Sequence, residues 1–122
     1  MRIANLFLSL ILALCIVSLA GCGRVEQYGE KLSGSGITRI QDIAANPGAY
    51  LGKLVTVKGK INIECNTGCW FYLKDEAASL YINIDPSGFA IPQRVGRIAI
   101  VEGVLSQEDG KLTLTGEAVE IR

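Results

Sequence analysis

The stretch Leu54-Val55-Thr56-Val57-Lys58-Gly59-Lys60-Ile61-Asn62-Ile63-Glu64-Cys65-Asn66-Thr67-Gly68-Cys69-Trp70-Phe71-Tyr72-Leu73-Lys74-Asp75 reads as a β-hairpin. Leu54 to Glu64 alternates apolar and polar side chains, the period of a half-buried strand. Cys69 to Asp75 is aromatic and strand-prone. Between them, Asn66-Thr67-Gly68 has the composition of a three-residue loop with Gly in the left-handed position. Parity places Cys65 in phase with Val55, Val57, Ile61 and Ile63, and Cys69 in phase with Phe71 and Leu73. Both thiols are therefore expected on the buried side, opposite one another. Facing Cα atoms on antiparallel strands lie about 4.5–5.5 Å apart, a separation that a disulfide accepts.

The same alternation marks three further strands, Ser79–Ile84, Arg97–Leu105 and Lys111–Ile121, with a turn at Gln107-Glu108-Asp109-Gly110. Asp85 to Gly96 carries Pro86, Gly88 and Pro92 and is expected as a loop with at most one helical turn. Val55-x-Val57-x-Gly59-x-Ile61 and Ala99-x-Val101-x-Gly103-x-Leu105 share a pattern. Gly inside an alternating strand marks a bend or bulge, which lets a small sheet curl closed. Upstream, Thr38-Arg39-Ile40-Gln41 fits a capping box, Ile40, Ile43 and Ala44 share a face, and Asn46-Pro47-Gly48 stops the helix. The fold class is mostly β: a five-stranded Greek-key barrel of the OB type with one short N-terminal helix. An open five-stranded sheet or an SH3-like barrel is the alternative.

A chain of 122 residues holds one such domain. The N-terminus is something else. Arg2 is followed by an apolar run from Ile3 to Ala20, then Leu19-Ala20-Gly21-Cys22 at its end. These four residues resemble the lipobox of bacterial lipoproteins. The resemblance implies a signal peptide over 1–21, cleavage before Cys22, and acylation of Cys22, palmitate included. Several acyl chains anchor stably, since each buried methylene adds about 0.8 kcal/mol. An uncleaved membrane helix is the alternative, and either reading exports the rest of the chain. Residue 23 is Gly, not the Asp that resembles an inner-membrane retention signal, so a Gram-negative cell would hold the protein at the periplasmic side of its outer membrane. Residues 22–36, rich in Gly, Ser, Glu and Lys, read as the lipidated Cys and a flexible tether of roughly 20 Å reach. The barrel domain is then 37–122.

Twelve basic residues balance twelve acidic ones, which gives no electrostatic case for nucleic acid. The chain has no His, so the commonest general base and metal ligand are missing. Ser33, Ser35 and Ser79 have no imidazole to activate them, and Glu64, Asp75 and Glu76 form no acid–base motif. No enzyme activity and no cofactor are expected.

Asn46-Pro47, Tyr50-Leu51-Gly52-Lys53 and Val57-Lys58-Gly59-Lys60-Ile61 are similar to the opening of OB-fold proteins, exported bacterial ones included. Gly68-Cys69-Trp70, Gly88-Phe89, Pro92 and Val101-Glu102-Gly103 resemble a family of largely uncharacterised exported OB-fold proteins. That resemblance implies a fold and no particular activity. Two constellations are left to carry function. Cys65 and Cys69 read as a structural disulfide formed after export, as a redox pair, or as two metal ligands needing Glu64, Asp75 or another carboxylate. Trp70, Tyr72 and Tyr81 read as an outward ligand face on strands two and three, or as rings packed beneath the Asp85–Gly96 loop or the helix. The expected function is a non-catalytic binding or interaction module in the cell envelope. Its partners are the membrane, through Cys22, and an envelope protein or oligomeric ligand. A thiol-redox or metal-handling protein and a nucleic-acid-binding OB-fold are the rivals.

Overall fold

Alternating sequence becomes alternating burial in the computed structural model, which describes residues 24–122. The expected signal peptide, Cys15 and the Leu19–Cys22 motif lie outside the described residues. The strands are β1 (Glu26–Gly29), β2 (Leu54–Glu64), β3 (Trp70–Lys74), β4 (Ser79–Asn83), β5 (Ile98–Glu108) and β6 (Lys111–Ile121). β5 runs past its expected end at Leu105 because Asp109 and Gly110, both at positive φ, turn the chain in two residues.

Antiparallel pairing joins β3 to β2, β2 to β5 and β5 to β6, while β3 also pairs with β4. Parallel pairing of β4 with β6 closes the circuit. This is the five-stranded OB barrel. Its interior holds Val57, Ile61, Phe71, Leu73, Ile82, Ile84, Val101, Leu105 and Leu114, all fully buried. Each such side chain contributes roughly 1.5–3 kcal/mol by leaving water. One helix, α1 (Ile40–Ala45), packs against β2 and β4 with Ile40 and Ile43 buried. Ala44, expected on the same face, is exposed.

Three local expectations are corrected. The helix has no side-chain cap of its own: Thr38 N–H donates to the Thr56 carbonyl, and Arg39 occupies the N-cap position. Asp75 at the end of β3 caps it instead, Oδ2 accepting Gln41 N–H at 3.0 Å while Oδ1 accepts Ala77 and Ala78 N–H. Burial raises the Asp75 carboxyl, but these N–H donors prevail and hold it below its ordinary value. The second correction is the tether. Glu26–Gly29 pairs antiparallel with β6 from Ile121 to Ala118, and Arg94 forks onto Glu26 at 2.7 and 2.9 Å. Part of the stretch expected to be flexible is thus a docked edge strand.

The third correction lies inside β2. Ile61 pairs with Leu73 but Ile63 pairs with Tyr72, so two residues on β2 advance against one on β3. Asn62 is the extra residue of a β-bulge. Beyond it the faces exchange, and Ile63, expected inside, is 54% exposed.

Glu102 on β5 fastens the N-terminal segment. Its buried carboxylate accepts the Ser33 and Thr56 hydroxyls, each at 2.6 Å, and the Ser33 N–H at 3.2 Å. Burial pushes this carboxyl up, but the donors together outweigh it and leave it below 4.5. A depressed folded-state value stabilises above the unfolded one and is lost as pH falls through the folded one. Chemical denaturation should therefore find Glu102→Gln less stable than wild type at pH 7, with the gap closing as pH drops below 4.5.

The Gly-bent strands are close approaches. A register shift sits between Glu102 and Gly103, where Gly103 faces Gly116, and a Cβ on Gly103 would collide with the Thr115 carbonyl. At Gly59, where β2 leaves β5 for β3, a Cβ would lie 2.6 Å from the Lys74 carbonyl. Gly103→Val should cost more than about 2 kcal/mol in a urea melt, beyond the ~1 kcal/mol span of strand propensity. Gly59→Val should follow in the same direction.

Candidate functional site

β3 and β4 carry three rings on the barrel's outer surface because their neighbours fill the core. Phe71, Leu73, Leu80, Ile82 and Ile84 are buried, which turns Trp70, Tyr72 and Tyr81 outward, each half-buried. Tyr72 pairs directly with Tyr81 across the two strands. The ring centroids lie 5.3 Å apart for Tyr72–Tyr81, 5.8 Å for Trp70–Tyr81 and 6.2 Å for Trp70–Tyr72. These are aromatic-pair distances, so the three form one continuous surface. Tyr28, Tyr50 and Phe89, not these three, are the partly buried aromatics packed against the core.

Lys111, at the start of β6, completes the surface. The parallel β4–β6 pairing sets Tyr81 beside Thr113, and Lys111 Nζ lies 3.9 Å from the Tyr81 centroid and 5.3 Å from that of Tyr72. An ammonium over a ring face is attracted by the ring quadrupole. The neighbouring Tyr72 hydroxyl raises the Lys111 value, keeping it a cation. Burial pushes the Tyr81 phenol up, against the opposing pull of Lys111, so it stays neutral near pH 7.

The two thiols reach this same surface, not the interior. Past the Asn62 bulge, Cys65 shares a face with Ile63, Trp70 and Tyr72. Cys65 N–H donates to the Trp70 carbonyl, so the loop is the four residues 66–69, one more than expected, and Cys65 does not face Cys69 across a ladder. The sulfurs still meet. Both cysteines are half-buried free thiols, with Cys69 Sγ donating to Cys65 Sγ at 3.2 Å. Thr67 Oγ1 stands 3.1 Å from Cys65 Sγ and 3.3 Å from Cys69 Sγ. Hydrogen bonds from the Thr67 hydroxyl and N–H, then from the Cys69 thiol, lower the Cys65 thiol to about 7 against a small burial penalty.

Two neighbours hold the loop still. Gly68 O accepts Ile91 N–H at 3.1 Å, and Gln93 Nε2 donates to the Cys65 carbonyl at 2.8 Å. Glu64 Oε1 accepts the N–H groups of Arg94 and Val95 from the same crossing loop. Glu64 and Asp75, named as metal ligands to complete a shell with the thiols, are thus each engaged with backbone elsewhere. Among the described residues no three or more His, Cys, Asp or Glu side chains converge.

Sequence placed Cys65, Cys69, Trp70, Tyr72 and Tyr81 as site residues, and the structure gathers all five on one surface. Lys111 and Thr67 were missed. Thr67 had a signal, as a hydroxyl between two thiols. Lys111 had none, since the β4–β6 pairing that delivers it is remote in sequence.

No family model matches the chain, and no curated protein matches it. Among solved structures it is similar to the hypothetical protein ygiW from E. coli, with a TM-score of 0.58 and 10% identity over 78% of this chain and 99% of that one. It is also similar to part of a putative aspartyl-tRNA synthetase from Leishmania major Friedlin, with a TM-score of 0.55 and 13% identity over 75% of this chain and 22% of that one. Both are likenesses of fold, in keeping with the OB barrel.

Gly68 is where the loop is most constrained. It is buried at φ 71°, and a Cβ there would collide with the Ile91 carbonyl. Gly68→Ala should destabilise the protein by about 1–3 kcal/mol. It should also shift the emission of Trp70, the one Trp of the chain, by loosening the hairpin tip from the crossing loop.

Proposed function

We propose that this protein is a lipid-anchored, non-catalytic binding module of the cell envelope. Its OB barrel takes an oligomeric ligand or an envelope protein on the surface of Trp70, Tyr72 and Tyr81. The observation that carries this reading is the contiguous triad of half-exposed rings with Lys111 above it. Strand faces of OB barrels bind oligomers by such stacking, worth about 1–3 kcal/mol per stacked base in single-strand binders. A sugar ring presents a comparable flat C–H face, and the near-zero net charge favours it over a polyanion.

The anchor rests on Leu19-Ala20-Gly21-Cys22. With β1 starting at Glu26, the four residues from Cys22 to that strand span at most about 14 Å. The lipid would then hold the barrel against the headgroups, closer than a free tether allows. Intact mass spectrometry should find the mature chain starting at an acylated Cys22, and Cys22→Ala should remain an unprocessed precursor. An unmodified wild-type chain starting at Met1 would refute the anchor.

Trp70 emission reads occupancy of the face. Titration with envelope-derived oligosaccharides should give a saturable change that weakens at least tenfold in Tyr81→Ala and in Lys111→Ala. A saturable, steeply salt-dependent response to single-stranded DNA alone would move the reading to nucleic acid. Saturable binding that both variants retain would remove the triad from the ligand site.

A further inference from the structure

We propose that Cys65 and Cys69 form a dithiol that exchanges with disulfides, Cys65 attacking and Cys69 resolving. The substrate class is an organic disulfide, and the site adds a stoichiometric redox activity to the binding surface beside it.

Geometry carries the assignment. The sulfurs lie 3.2 Å apart on a half-buried loop, outside the interior that the Asn62 bulge denies them, and a bridge at the surface is the readily exchanged kind. Ile91 and Gln93 pin the loop, so the thiols are held in reach of one another without a rearrangement of the barrel. Thr67 Oγ1 contacts both sulfurs and can donate to a thiolate on Cys65. The lowered Cys65 value agrees with that role. The titratable group facing the pair from β4 is Tyr81, with Lys111 of β6 over its ring.

The chemistry closes without another reagent. Cys65 thiolate attacks a disulfide R–S–S–R, forming Cys65–S–S–R and releasing one thiolate, RS⁻, which takes a proton from solvent. Cys69 then gives up its proton to solvent and attacks Cys65 Sγ. The Cys65–Cys69 bond forms, the mixed disulfide breaks, and a second RS⁻ leaves and is protonated. Two protein thiols are oxidised and one disulfide is reduced to two thiols. The bridged product joins the same two cysteines as the disulfide read from sequence, but half-buried at the surface instead of in the core.

At pH 7 the Cys65 thiolate fraction exceeds that of an unperturbed thiol by about fifteen-fold, and intrinsic nucleophilicity falls by about fivefold, so attack should be about threefold faster. The test uses the purified full chain, reduced and then treated with oxidised glutathione. Tryptic cleavage after Lys60 and Lys74 yields residues 61–74, which hold both thiols and no other Cys. Wild type should lose two hydrogens from this peptide and release two glutathione molecules, and reduced glutathione should reverse the change. Cys69→Ser should stop at a glutathione adduct on Cys65, formed about threefold faster than on a synthetic 61–74 peptide with the same substitution and half-maximally fast near pH 7. Thr67→Val in that background should move the midpoint upward. Limiting alkylation of the wild type, read by peptide fragmentation, needs no variant and should mark Cys65 before Cys69. Wild type stalled as a mixed disulfide, a bond that glutathione cannot reopen, or Cys69 alkylated first would each overturn the proposal.

Discussion

One extra residue decides what this barrel shows to its surroundings. Asn62 has no partner on β3, so the ladder that pairs Ile61 with Leu73 goes on to pair Ile63 with Tyr72. Because side chains alternate, a slip of one residue turns the remaining strand over. Ile63 and Cys65 come outside, onto the aromatic face, instead of entering the core. The cost is an apolar Ile left half in water, and the result is that ring surface and thiol pair become neighbours.

Closure of the barrel fixes what surrounds that face. The parallel pairing of β4 with β6 carries Lys111 over Tyr81, and the crossing loop after β4 returns to clasp the hairpin tip through Ile91 and Gln93. The N-terminal segment is fastened by a strand along β6, by the Arg94–Glu26 pair, and by the Glu102 carboxylate on Ser33. A carboxylate drawn from water persists only when donors replace what it loses, and buried Glu102 and half-buried Asp75 each gather three. Both serve as staples, holding a segment or a helix end that has too few apolar residues to hold itself.

The ring surface proposed for binding and the thiol pair proposed for exchange lie on one face. A thiolate and a closed bridge beside Tyr81 would present different fields to a ligand docked there. Ligand on the rings would in turn screen the sulfurs from solvent. Thiol state and occupancy then bias one another reciprocally, as any two linked equilibria must.

Sequence by itself determined the strands and much of their content. β2 and β6 run over the residues that alternation marks, and the inward set of β3 and β4 follows parity, apart from Cys69, which falls in the loop before β3. Those signals are local: period two, a Gly at a close approach, an Asp-Gly turn. The outward turn of Trp70 and Tyr72 was legible for the same reason, while that of Tyr81 required β4 to pair without a bulge, as it does. Tertiary structure alone decided the bulge at Asn62, the four-residue loop, the cap that Asp75 lends to α1, the docking of Glu26–Gly29 and the arrival of Lys111. The last three depend on a partner brought from elsewhere in the chain, and alternation records which residues can face inward, not which strand they will face. The bulge and the loop lie within one hairpin, and a one-residue slip reverses the faces without breaking the apolar–polar pattern that β2 carries.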